Sequence, residues 1–149
     1  MRRVLGMAAL VSSLSVLASD GQPEEVERLE DLQWRYRLMV GQLSSGELIS
    51  QLRKSVEANA EALEDRKLLF VLRTPGGVEV LNGMRMGVSN VGVRDGYFER
   101  VNAGSLALVG LDGGIKAVYE VEDLDLDVVF DLIDGMPIRR AELRSRGEE

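Results

Sequence analysis

Residues 34–42, WRYRLMVGQ, begin as an alternation: Tyr36, Leu38 and Val40 fall on one face, Arg35 and Arg37 on the other. Met39 then breaks the period, which predicts a strand whose inner part is covered on both sides. Over the next stretch the period lengthens, and Leu48, Ile49, Leu52, Val56 and Leu63 recur at helical spacing. Ser44 and Glu47 stand at the spacing of a capping box, in which hydroxyl and carboxylate each satisfy an orphan backbone N–H. Residues 67–74, KLLFVLRT, are apolar almost throughout and stop at Pro75-Gly76-Gly77, which reads as a buried strand. Strand, helix and strand together predict a βαβ unit with parallel strands and a right-handed crossover.

Further along, the pattern weakens and then recovers. Residues 78–104 are broken by glycines; residues 78–81 suit a short strand, and residues 95–102 suit a short helix that delivers Tyr97, Phe98 and Val101 to the core. In residues 105–121 two apolar runs flank Asp112-Gly113-Gly114, a strong local signal for an antiparallel hairpin. Leu126, Val129, Phe130 and Ile133 then define a helix, with Asp123 or Asp125 as its cap and Gly135 as its stop. Pro137 fits the first position of another helix that carries Arg139, Arg140 and Arg144. Before all this, Val26, Leu29 and Leu32 among acids suit one short helix.

The N-terminus has a different character. Arg2 and Arg3 precede an uncharged, mostly apolar run over residues 4–17, and Val16-Leu17-Ala18 offers compact residues at the cleavage positions. This is the pattern of a secretory signal peptide, residues 1–18, and the run is short for a membrane anchor, which needs about 20 apolar residues. Cleavage would leave no stable membrane span, a flexible lead-in over residues 19–28, a domain over residues 29–146 and a tail over residues 147–149. The expected location is periplasmic or secreted.

Composition narrows the chemistry. Apolar residues at 45% and charged residues at 29% allow a folded core. The formal net charge of −7 disfavours nucleic acid as a partner. The chain has no Cys and no His. Thiol redox chemistry, thiolate metal sites and the commonest general base are therefore excluded, and no cofactor is implied.

The order β-α-β, loose middle, hairpin, helix is that of a thioredoxin-like domain. The expected fold class is α/β, three-layered, with a central mixed sheet of about four strands flanked by helices. LVGLDGGIK followed by LIDGMPIRRAELR resembles the C-terminal signature of the thioredoxin-like P-DUDES family, domain of unknown function 4174. LQWRYRLMV resembles that family's opening Trp-x-x-Arg strand, and LEDRKLLFVL its entry to the second strand. Two positions depart from the pattern: the family's Lys before Asp-Gly is Leu111 here, and its second Met is Ile138. Occurrence of the family in bacterial secreted proteins and animal matrix proteins implies an extracellular binding role. In redox thioredoxins two Cys occupy the first strand-helix junction and a Pro precedes the third strand. Here Leu43-Ser44-Ser45-Gly46 and Ala103-Gly104 stand in those places.

Met136, Arg139, Arg140 and Arg144 are the candidate partner-binding residues, since arginines can clamp a carboxylate or phosphate. The competing possibility is that these arginines pair with Asp131, Asp134 or Glu142. Ser44 and Ser45 form a weaker anion-site candidate at a helix N-terminus, against plain capping. Tyr97, Phe98 and Arg100 either line a groove or pack beneath a loop. The acids of residues 120–127 lack calcium-loop spacing and read as a solvated helix start. The function expected is an exported, non-catalytic module binding an unknown protein or an envelope or matrix component. The alternative is a small hydrolase or anion-binding protein using carboxylate, Ser or Arg groups.

Overall fold

The computed structural model describes residues 23–92 and 96–147. The expected signal peptide lies outside them. In chain order the elements are β1 (Glu24–Val26), a 3-10 turn (Leu29–Leu32), β2 (Arg37–Gln42), α1 (Gly46–Ala58), α2 (Ala60–Asp65), β3 (Leu68–Thr74), β4 (Gly77–Val80), α3 (Gly83–Met86), β5 (Val88–Val91), α4 (Gly96–Glu99), β6 (Ser105–Val109), β7 (Ile115–Glu120), a second 3-10 turn (Val121–Asp123), α5 (Leu126–Asp134) and α6 (Pro137–Ser145).

Five strands form the main sheet in the order β4-β3-β2-β6-β7. β2 and β3 are parallel, as a βαβ unit requires, and β6 pairs antiparallel with both β2 and β7. The strands expected at β2, β3, β6 and β7 thus lie side by side, and β4, where a short strand was expected over residues 78–81, adds a fifth by folding back antiparallel on β3. The result is a mixed α/β architecture consistent with a thioredoxin-like three-layer fold.

The sheet is covered on both faces because its central strands are apolar in every register. Met39, Leu68, Phe70, Leu72, Leu106 and Leu108 meet the helices α1, α2 and α5. Leu38, Val40, Leu69, Val71 and Val109 meet a second layer that contains Val26, Leu29, Leu32, Tyr97 and Phe98. That second layer holds a two-stranded parallel sheet of β1 and β5.

Several local expectations change. Part of the expected flexible lead-in is β1, with Val26 buried. Leu29 and Leu32 bury themselves from a 3-10 turn rather than sharing a helix with Val26. Trp34 is not on the strand: its φ is 70°, the residue is 62% exposed, and its amide donates to the Leu111 carbonyl at 2.7 Å. The α1 cap is Ser45, whose hydroxyl accepts from the Leu48 amide at 3.3 Å, rather than Ser44. The expected long helix is split at Asn59 into α1 and α2. Asp125, not Asp123, caps α5 by accepting from the Asp127 amide at 2.9 Å.

Candidate functional site

A cavity of about 310 Å³ opens at the end of the sheet where β2 and β3 begin and β6 ends. One wall is the hairpin loop, with Gly110, Leu111 and Asp112, and Lys116 just beyond it. This loop is braced from several sides. The Gly110 amide donates to the Gly114 carbonyl at 2.9 Å, Gln33 Nε2 donates to the Asp112 carbonyl at 2.7 Å, and the Tyr97 hydroxyl donates to the Gly113 carbonyl at 2.6 Å. Gly113 supplies the positive φ of 83° that the turn needs, a conformation open to glycine.

The facing wall is the joint between α5 and α6, represented by Met136, Pro137 and Ile138. Gly135 ends α5, and its amide donates back to the Asp131 carbonyl at 3.2 Å. Pro137 then opens α6 at a position where its missing N–H costs nothing. The joint is thereby held in one geometry by a stop and a start two residues apart.

Arg37, at the head of β2, completes the lining. It is 1% exposed. Its Nη1 donates to the Arg66 carbonyl at 2.8 Å, and its Nη2 reaches Glu142 Oε1 only at 3.5 Å. Its Nε has no hydrogen-bond partner among the described residues. Burial pushes the guanidinium below its usual pKa; Glu142 opposes that shift but does not cancel it, and the nearby Arg139 adds repulsion. On the rim, Lys116 Nζ contacts Asp112 Oδ2 at 2.8 Å. That contact, with the Gly114 amide, holds the Asp112 carboxyl below the usual carboxylate range.

Behind the cavity lies a network that fastens α6. Arg139, 2% exposed, donates through Nη2 to Asp65 Oδ2 at 2.6 Å and through Nε to Asp134 Oδ1 at 3.0 Å. It also contacts Glu142 Oε2 at 3.4 Å. Burial works against the Arg139 charge, but the hydrogen bonds to Asp65 and Asp134 outweigh it and hold its pKa above the usual value. Arg66 grips the same Asp134 through two bonds of 3.1 and 2.8 Å and stacks on the Phe130 ring at 4.4 Å.

The proposed partner-binding residues therefore separate. Met136 lines the cavity. Arg139 turns inward and pairs with carboxylates, so it is unavailable to a partner. Arg140 and Arg144 lie on the exposed side of α6. Ser45 is occupied as a cap. Ser44 lines a separate cavity of about 240 Å³ with Gln42, Arg73 and Ala103, at the opposite end of the sheet where the redox pair of a thioredoxin would lie. Tyr97 and Phe98 are buried, so they pack rather than line a groove, and Arg100 sits over the Tyr97 ring at 5.5 Å.

Met136 is the one lining residue among the candidate partner-binding residues; Arg37, Lys116 and the others were not selected from the sequence. For Arg37 a signal existed: a cation heads an apolar run whose next residues are core. Among the described residues no group of three or more metal-ligating side chains gathers, and no helix is long and apolar enough to cross a membrane.

A family model described as a domain of unknown function (DUF4174) matches residues 28–142. No match is found among curated proteins or among solved structures. The matched span contains all of the cavity lining and the Arg139 network apart from Arg146, which adds a contact to Asp65 at 2.6 Å.

Proposed function

The chain belongs to the family described as a domain of unknown function (DUF4174), and on that premise we propose that it is an exported, non-catalytic binding module whose working face is the cavity-bearing end of the sheet. The observation that carries this reading is convergence. The opening strand, the LVGLDGGIK hairpin and the MPIRR joint are far apart in sequence, yet all three contribute lining to one cavity. Leu111 and Ile138, the two departures from the signature, line it as well.

The charges near the cavity favour binding over catalysis. A general acid needs a carboxyl whose pKa is raised toward neutrality. Here Asp112, Asp65 and Asp134 are each paired with a cation and shifted the other way. Export rests on Arg2, Arg3 and the apolar run that follows.

The test places a photoreactive residue at Ile138 on the cavity rim and, as a control, at Lys54 on the exposed side of α1. Crosslinking is done in the intact cell envelope, with mass spectrometry as the readout. One envelope component captured from position 138 and not from position 54 is the expected result. Equal capture from both, or from neither, would remove this face as a contact surface for a macromolecular partner. N-terminal sequencing of the same material is expected to begin at Ser19; a chain starting at Met1 in the cytoplasm would remove export.

A further inference from the structure

We infer that the cavity receives a single carboxylate attached to a short apolar body, with the Arg37 guanidinium as the group that meets the charge. The inference rests on the reading of this end of the sheet as the working face and adds the chemistry of what enters it.

The argument starts from Arg37. A guanidinium offers five N–H donors. In the structure, Nη1 has a carbonyl at 2.8 Å, Nη2 has a carboxylate at the 3.5 Å limit, and Nε has none. A cation this deeply buried is expected to be paired, because an unpaired buried charge is costly. Among the described residues Glu142 is the one carboxylate it pairs with, and Glu142 is shared with Arg139 at 3.4 Å. Arg37 is also one of the residues that line the cavity, so an anion placed there would give its charge a further partner.

The rest of the lining selects the anion. Leu111, Met136, Pro137 and Ile138 give apolar walls. The other charged groups, Lys116 and Asp112, already neutralise each other at 2.8 Å. That leaves Arg37 as the cation for an entering ligand, and one positive charge among apolar walls favours a monoanion over a phosphate dianion. A volume of about 310 Å³ sits at the small end of the usual range for ligand pockets, about 300–1,000 Å³. It suits a short organic acid or the last residue of a polypeptide, and the two share the chemistry in question.

Titration calorimetry on the purified protein tests this with hexanoate, hexanol, inorganic phosphate, and the tripeptide acetyl-Ala-Ala-Leu as its free acid and as its amide. Saturable binding of hexanoate or of the free-acid peptide is expected, at least about tenfold tighter than its uncharged counterpart; at 1.4 kcal/mol per factor of ten this is the worth of one charge-assisted contact. Tighter binding of the peptide would identify a chain terminus as the source, and tighter binding of hexanoate a free acid. Ile138→Trp, at a half-exposed rim position, is expected to fill the mouth and weaken binding at least about tenfold with an unchanged melting curve. Arg37→Lys keeps the charge and removes the fork, and is expected to weaken the acid and leave hexanol alone. Hexanol or the amide binding as well as the acids, phosphate competing equally, or no binding by any acid would overturn the inference. Ile138→Trp leaving affinity unchanged would overturn it as well, since that places the acid elsewhere. A crosslinked partner at position 138 with no acid binding would sink the carboxylate assignment alone; acid binding with no crosslinked partner would sink the macromolecular reading alone.

Discussion

Arg139 and Arg140 are neighbours in sequence and opposites in environment. The first is buried against Asp65, Asp134 and Glu142; the second is exposed on the outer side of α6. Removing one member of an enclosed ion network costs about 3–5 kcal/mol because the other charges are left unmatched. Asp65 keeps 39% of its side-chain exposure and can be resolvated, so the cost here is lower. Arg139→Ala is expected to lose about 2–4 kcal/mol in urea unfolding, and Arg140→Ala less than about 0.5 kcal/mol. Equal losses would contradict the inward placement of Arg139. The local period could not separate the two, nor place Arg37. Arg35 and Arg37 occupy one face of an alternation, yet Arg35 meets Glu24 at the surface while Arg37 is covered by α6, whose Glu142 lies 105 positions away. Burial of a polar residue at the head of a strand depends on what docks there, and that contact leaves no trace in the strand's own pattern.

Elements with a long period were legible, and those held by single contacts were not. α1, β3, the β6-β7 hairpin and α5 each carry several core residues at fixed spacing, so their existence follows from the pattern. α3 and β5 were read only as glycine-rich loop. Their glycines serve close packing: a Cβ on Gly83 would lie 1.9 Å from the Val88 carbonyl oxygen, and one on Gly92 would lie 2.0 Å from that of Glu27. The entry to α3 is fixed by Asn82, which is buried. Its Oδ1 accepts from the Phe70 amide at 2.9 Å and its Nδ2 donates to the Leu68 carbonyl at 2.8 Å. The side chain thus continues the edge of the main sheet past the point where β4 leaves β3. Asn82→Ala would strand one buried donor and one buried acceptor, at about 1–3 kcal/mol each. A loss of about 2–4 kcal/mol is expected, with hydrogen exchange at the Phe70 amide accelerated ahead of the rest of β3. Unchanged protection at Phe70 would mean that water or β4 replaces the amide.

Across the whole molecule the layer order was legible, because a βαβ unit followed by a hairpin and a helix leaves few ways to close a sheet. The docking of β1 in the second layer was not, since three residues of strand carry no period, and neither was the cavity, which exists only where separate elements meet. What holds one side of that cavity is electrostatic. Asp65 and Asp134 tie the ends of α2 and α5 to α6, and α6 begins at the cavity wall. The hydrogen bond from Arg146, joined by that from Arg139, outweighs burial and holds the Asp65 carboxyl below its ordinary value of 3.8. At Asp134 burial pushes upward, but Arg66 and Arg139 together overcome it, and its carboxyl also lies below 3.8. A carboxyl depressed in the folded state binds its proton more readily in the unfolded chain. Its stabilisation is therefore complete above the ordinary value and is lost as pH falls through 3.8 toward the depressed folded value. The urea midpoint is expected to stay level near neutrality and to fall steeply below about pH 4. An Asp65→Asn/Asp134→Asn double variant should start lower at neutral pH and respond less to acid, because the two linked protons are gone. If α6 is the part released, protection of its amides will collapse before that of β2 and β3, and acid will empty the cavity before it unfolds the sheet. Simultaneous loss of protection in α6 and the central strands would instead mean that the arginine network is part of the global core.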